Sequence, residues 1–189
     1  MEAIRYDLVS LEDYLAAEGR SEVRHEYLAG MVYAMAGASR NHNRITLNIS
    51  RRLLEKLESG PCIPYMTDLR LRIASQAGVS IYYPDVMVVC GEAAGDEMHI
   101  ENPTVIFEVL SESTERIDRR EKYLAYQMIP SLKQYVLVAQ DGVRVESFSM
   151  GSGGPGEVLK SITGALVLPS LACELSLAEI YAGVEGLAV

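Results

Sequence analysis

Hydrophobic positions recur along this chain with two different periods, and the switches between them mark out its elements. Between Asn41 and Ser59, Ile45, Ile49, Leu53 and Leu57 fall four apart with Leu54 beside them, and Gly60-Pro61 ends the pattern. That spacing puts them on one face of a helix, the longest the sequence predicts. A shorter helix is expected from Leu11 to about Gly19, behind a capping-box outline at Ser10 and Asp13. A third covers Ile117 to Met128 and stops before Pro130, and a last one is capped by Ser176.

Between the helices the period shortens to two. Leu69, Leu71 and Ile73 alternate with Arg70 and Arg72, as in a half-exposed strand, and CIPYM before them is also extended. Gly30 predicts a turn between two short extended pieces, the second running from Met31 to Met35. Two segments are apolar throughout and β-branched, Ile81 to Cys90 and TVIFEVLS, and both read as buried central strands. Pro84 marks the start of the first strand or a bulge in it. The acidic stretch Gly91 to Asn102 is expected to be a loop. QYVLVA and VRVESFS form a hairpin about Asp141-Gly142, and GSGGPG is a flexible hairpin tip.

This order predicts an α/β (α+β) fold with a central mixed β-sheet flanked by helices. Within it, Thr104 to Ala139 forms a strand, helix, strand unit with a right-handed crossover. No repeat or interdomain linker interrupts the chain, so residues 1–189 are expected to form a single domain, with its core over about 11–148 and a C-terminal strand and helix as an extension.

Composition changes the picture little. With 49% hydrophobic and 23% charged residues the chain can bury a sizeable core without a structural metal. Cys62, Cys90 and Cys173 are odd in number and contain no CxxC pair, which reads as buried reduced thiols in a reducing compartment. The start of the chain lacks the pattern of a signal peptide, and nowhere do 18 apolar residues run together. A cytoplasmic protein without a membrane span is therefore expected. The net charge of −9 opposes attraction to a polyanion, yet basic residues bunch at Arg40, Arg44, Arg51 and Arg52 and again at Arg116, Arg119, Arg120 and Lys122.

Candidate chemistry lies in the two apolar strands. Each carries one carboxylate, Asp85 in YYPDVMVV and Glu108 in VIFEVLS. A buried carboxylate needs a cation, a metal or a set of hydrogen-bond donors. If the strands are neighbours, a divalent cation would hold both acids ionised; alternatively each pairs with its own arginine. No zinc finger, Walker loop, GxSxG or Rossmann glycine pattern is present. Two carboxylates could also suit a glycosidase, but without Trp and with two Phe the chain offers no sugar platform.

The order PD, a turn, then an apolar strand centred on Glu resembles the PD-(D/E)XK core of restriction endonucleases. More closely, the string RHEYLAGMVYAMAG, NHNRI, YYPDVMVV, VIFEVLSEST and DRREKYLAYQ is similar to a family of restriction-endonuclease-like proteins, over about Leu11 to Phe148. The resemblance implies a magnesium- or manganese-dependent endonuclease acting on nucleic acid, in particular DNA, and by analogy a homodimer. Asp85, Glu108, the carbonyl of Val109 and Glu26 would hold the metal. The superfamily's lysine normally stands two residues after the second acid, where this chain has Leu110. The matching residue is Lys122 on the next helix, in one row with Asp118 and Tyr126. Without the resemblance, Asp118 and Lys122 would read as a surface pair.

His42, in a matching segment, would contact phosphate or assist a general base, or else simply face solvent. Arg44 and Arg119 are candidate phosphate contacts, the alternative being solvated helix faces. His25 and His99 look incidental. The rival to an enzyme is a catalytically inactive nuclease-fold binding module, favoured by Leu110 and by the net charge.

Overall fold

The computed structural model describes residues 8–35, 37–76, 78–112, 114–151 and 155–187. The expected tip at GSGGPG falls partly outside these, since residues 152–154 are not among them. Helix α1 (Leu11–Glu18) starts at Ser10, whose side chain accepts the Asp13 N–H as predicted. Strands β1 (His25–Leu28) and β2 (Met31–Ala34) form a hairpin whose turn residues, Ala29 and Gly30, both have positive φ, at 47° and 104°. That turn type matches the twist of paired strands and favours Gly at its second position. Helix α2 (Arg40–Leu57) buries Ile45, Ile49, Leu53 and Leu57, the row seen in the sequence, and leaves Leu54 exposed.

The strands β3 (Cys62–Met66), β4 (Arg70–Ser75), β5 (Gly78–Tyr82), β6 (Val86–Cys90), β7 (Gly95–Asp96), β8 (His99–Ile100) and β9 (Val105–Leu110) follow. Next come α3 (Glu115–Ile117), a π-helical turn over Asp118–Lys122, and α4 (Tyr123–Tyr126). β10 (Gln134–Ala139) and β11 (Val145–Ser149) form the predicted antiparallel hairpin. β12 (Glu157–Leu159), β13 (Ala165–Leu168), β14 (Cys173–Ser176) and α5 (Leu177–Ile180) end the described chain. Ser176 caps α5 in a full capping box with Glu179.

Among the described residues these strands make two six-stranded mixed sheets, in the orders β2-β1-β5-β4-β8-β7 and β12-β11-β10-β9-β6-β3, and a β13-β14 pair. The expected α+β class with a mixed sheet and flanking helices holds. β9 and β10 are parallel neighbours joined through the helical segment, as the strand, helix, strand unit requires. One face of the second sheet, through Val86, Val88, Val105, Phe107 and Val109, packs on α2 and on the C-terminal hairpin and helix. The opposite face, with Met87, Ile106 and Leu137, packs on β4, β5 and the segment around Tyr126.

Four expectations are corrected. The apolar run Ile81 to Cys90 is two strands in different sheets, because Pro84 has no N–H for a ladder and the chain crosses between sheets at Tyr83-Pro84-Asp85. The acidic stretch after Cys90 is not all loop, since it contributes β7 and β8 to the first sheet. The Ile117 to Met128 helix is broken by the π-helical turn. Finally, Cys62 and Cys90 face each other across β3 and β6 and are joined as a disulfide, leaving Cys173 free among the described residues. Their separation of 28 residues hid this pairing from a linear reading. The cysteines therefore lend no support to a reducing compartment. No helix among the described residues is long and apolar enough to cross a membrane.

Candidate active site

The crossing between sheets decides where the first carboxylate sits. Asp85 stands immediately before β6, where the ladder to β9 has ended, and its Oδ2 accepts the Val109 N–H at 2.7 Å. The same oxygen lies 3.2 Å from His42 Nε2. His42 is in the first turn of α2, its own N–H accepted by the Ser39 side chain, so the helix start aims the imidazole at the carboxylate and not at solvent. Burial is the largest single influence and would lower its pKa, but the hydrogen bond and charge of Asp85, the charge of Asp118 and a backbone bond to Val109 together hold it above the usual histidine range.

Glu108 projects from the middle of β9 onto the face of the sheet opposite α2, 3% exposed. Its Oε1 accepts Tyr126 O–H at 2.8 Å and Lys122 Nζ at 3.0 Å. Lys122 Nζ is also 3.1 Å from Glu26 Oε1, delivered by β1, and 3.2 Å from Asp118 Oδ1, one turn earlier. Its ammonium lies 5.9 Å from the centre of the Tyr82 ring. Helical spacing puts these two charged residues, four apart across the π-helical turn, on one inward face: Asp118 is 2% and Lys122 5% exposed. Tyr135 fixes this turn by donating its O–H to the Asp118 carbonyl at 3.0 Å.

The charges do not balance. Asp85, Glu108, Glu26 and Asp118 converge on one ammonium and one imidazole. Burial, only partly offset by Lys122, pushes the Glu108 carboxyl well above the ordinary range, and Asp118, Asp85 and Glu26 push it further. Lys122 moves up as well, because Glu108, Glu26 and Asp118 outweigh the burial that would lower it. Glu26 Oε1 and Asp118 Oδ1 are buried without a hydrogen bond, although each lies near the ammonium. Charge attraction alone holds these two oxygens, since the lysine's well-directed bond goes to Glu108. Among the described residues, no three His, Cys, Asp or Glu side chains as placed are grouped so that they could hold a metal ion. Lys122 stands where three of the acids meet.

The structure thus gathers Glu108, Glu26 and Asp118 on Lys122, and sets Asp85 against His42 and the Val109 N–H. It does not make Arg119 available: both terminal nitrogens bind Glu146, at 2.9 and 2.6 Å, and its Nε binds Glu115 at 2.7 Å. Arg44 is exposed and lines an open cleft of about 1730 Å³ between the start of α2, the segment after β9 and the β10–β11 turn. Asp85, Glu108, Glu26, Asp118 and Lys122 do not line that cleft, although Leu110 and Ser111, close to Glu108 in the chain, do. Leu110 is in the core, 6% exposed, and the ammonium beside Glu108 comes from Lys122.

Sequence reasoning placed Asp118 and Tyr126 in one row with Lys122 but gave neither a place in the site. It also set His25 aside as incidental, whereas His25 Nδ1 is 2.9 Å from the buried Glu18. Helical spacing showed the first two to share a face; nothing local in the sequence signals the last.

A mixed sheet with paired acids on adjacent strands, and a lysine brought over them, has the architecture of restriction-endonuclease-like proteins. The fold matches the crystal structure of a "putative nuclease belonging to DUF820" from Anabaena variabilis with a TM-score of 0.76, covering 92% of this chain and 98% of that one at 16% identity. Residues 11–178 match Uma2, described as "Putative restriction endonuclease", and the chain belongs to that family. Two relatives come from Synechocystis sp. The "Uncharacterized protein sll1609" is 36% identical over 144 residues, 75% of this chain and 80% of the relative. The "Uncharacterized protein slr1290" is 32% identical over 177 residues, 93% and 92% of the two chains.

Proposed function

We propose that this protein is a metal-dependent endonuclease that hydrolyses phosphodiester bonds in nucleic acid, with DNA as its substrate. The observation that carries the reading is the excess of buried carboxylates over cations around Lys122. Membership of a family described as restriction endonucleases agrees with it. Such an excess is costly without a counter-ion, and the all-oxygen donor set suits the hard cations magnesium or manganese. Asp85, Glu108, the Val109 carbonyl and Glu26 would hold the ion. A divalent cation bound there acidifies a water, polarises the scissile phosphate and offsets charge on the leaving oxygen.

The chain's own residues do the rest. Lys122 donates from Nζ to the attacking water and to the charge growing on the phosphate. His42 keeps the Asp85 carboxylate oriented through Oδ2, as does the Val109 N–H. Arg44, with no ion pair among the described residues, meets a backbone phosphate in the cleft. Arg119 does not, being saturated by Glu115 and Glu146; it holds the helical segment against β11. The chain acts as one domain, since a single apolar cluster joins α2, the second sheet and the C-terminal hairpin.

Isothermal titration of manganese into the protein and into Asp85→Asn tests this reading, followed by cleavage assays on duplex DNA, single-stranded DNA and RNA. The wild type should bind and cut, and the variant should do neither. Full cleavage by Asp85→Asn would remove Asp85 from the site. A wild type that binds no metal even with duplex DNA present would leave a nuclease fold that only binds its partner.

A further inference from the structure

Helix α1 packs in a way that its stability alone does not explain. Its buried residues are Tyr14 and Glu18, four apart, while Leu15 on the same helix is 39% exposed. An ordinary surface helix buries its leucines and exposes its glutamates. Glu18 also ends the helix, where the backbone carbonyls repel a carboxylate. The polar contacts of these two residues supply the reason. Glu18 Oε1 accepts the His25 N–H at 2.9 Å and the Tyr83 O–H at 2.9 Å, and Oε2 contacts His25 Nδ1 at 2.9 Å. Tyr14 donates its O–H to the His25 carbonyl at 2.6 Å.

Both backbone polar groups of His25 are thus held from α1, and the next residue is Glu26. Tyr83 is joined to Asp85 through Pro84 alone, whose ring fixes its φ. One carboxylate therefore ties together the two segments, from different parts of the chain, that carry two of the site's acids. We propose that Glu18 is a positioning residue of the site, with Tyr14 and Tyr83 as its partners, and that α1 serves to clamp Glu26 and Asp85 in register with each other. This inference rests on the metal-site reading for its consequence in binding, while the clamp itself has a readout that does not depend on metal.

That readout is the Val109 amide, whose acceptor is Asp85 Oδ2. Hydrogen exchange should be compared in the wild type, Glu18→Gln and Tyr83→Phe, using the Val136 amide of the same sheet as internal reference. Loosening Asp85 should speed Val109 exchange on the order of tenfold, the scale of one lost hydrogen bond, with Val136 unchanged. Manganese affinity should fall by about tenfold or more in both variants, as it does when the support of a ligand is removed. Ile100→Val, in β8 and outside the apolar layers that hold Val109 and Tyr14, should lower the melting temperature while leaving Val109 exchange and manganese affinity at wild-type values.

Val109 exchange unchanged in Glu18→Gln, or accelerated equally in Ile100→Val, would overturn the clamp. If the wild type binds no manganese while Val109 exchange responds as expected, the clamp stands and the metal reading fails. If manganese binds equally well with and without Glu18, the clamp has no role in the site.

Discussion

Lys122→Met is the sharpest perturbation of this structure. The methionine keeps the length and much of the apolar stem but removes the ammonium that lies 3.0 to 3.2 Å from Glu108, Glu26 and Asp118. On a surface, losing such pairs would cost about 0–1 kcal/mol. Here the lysine and two of the acids have side chains no more than 7% exposed, so the cost is that of breaking a buried pair, about 3–5 kcal/mol. For a chain of this size each kcal/mol moves the melting temperature by about 2–4 °C, so a fall of about 6–20 °C is expected. Urea unfolding followed by circular dichroism reads the free energy directly. The double variant Lys122→Met/Asp118→Asn should then be more stable than Lys122→Met alone, because one repelling charge has gone. A loss below about 1 kcal/mol would show that the ammonium does not balance buried charge, and the charge argument for the site would fall with it.

Two further outcomes follow from groups outside the site. The two Arg119 hydrogen bonds, reinforced by Arg144, hold the Glu146 carboxyl below the ordinary glutamate range despite its burial. A depressed folded value means that this contribution is fully present above the unfolded value of about 4.3 and is lost as pH falls through the lower folded one. Glu146→Gln should cost about 1–3 kcal/mol at neutral pH and flatten the acid limb of stability measured by urea midpoints. Acid limbs of equal slope would contradict the assignment. The Cys62–Cys90 bridge closes a loop across a separation of 28 residues, worth about 3–4 kcal/mol by loop entropy. Cys62→Ser should lower the melting temperature by about 6–16 °C, and thiol titration of the denatured wild type should find only the Cys173 sulfhydryl; three free thiols would refute the bridge.

Much of this fold was legible because local and tertiary demands agree. The four-residue row of α2, the alternation in β4 and the caps at Ser10 and Ser176 are each read from a few adjacent residues, and each survives in the structure. The failures occur where one segment serves two layers. Ile81 to Cys90 is apolar throughout because both halves are buried, and burial alone cannot say that the halves belong to different sheets. The Cys62–Cys90 bridge and the Glu18 network likewise join strands or helices whose pairing is decided by the whole fold, so no window of sequence contains them.

The displaced lysine shows how the site depends on the same global geometry. Glu108 and Leu110 lie on one face of β9, and that face is covered by β4, β5 and the segment from Asp118 to Tyr126. Leu110 contributes to this apolar layer with Met87, Ile106 and Leu137, so a charge at 110 would be buried away from Glu26 and Asp118. A lysine carried by the covering helix reaches the same carboxylate from above, but only if the helix aims that residue inward. At about 100° per residue, helical positions four apart lie only about 40° from each other, so Asp118, Lys122 and Tyr126 share the face turned to the sheet. Leu110 on the strand and Lys122 on the layer above it therefore go together: the ammonium reaches Glu108 from the helix, in the row with Asp118 and Tyr126 that helical spacing sets.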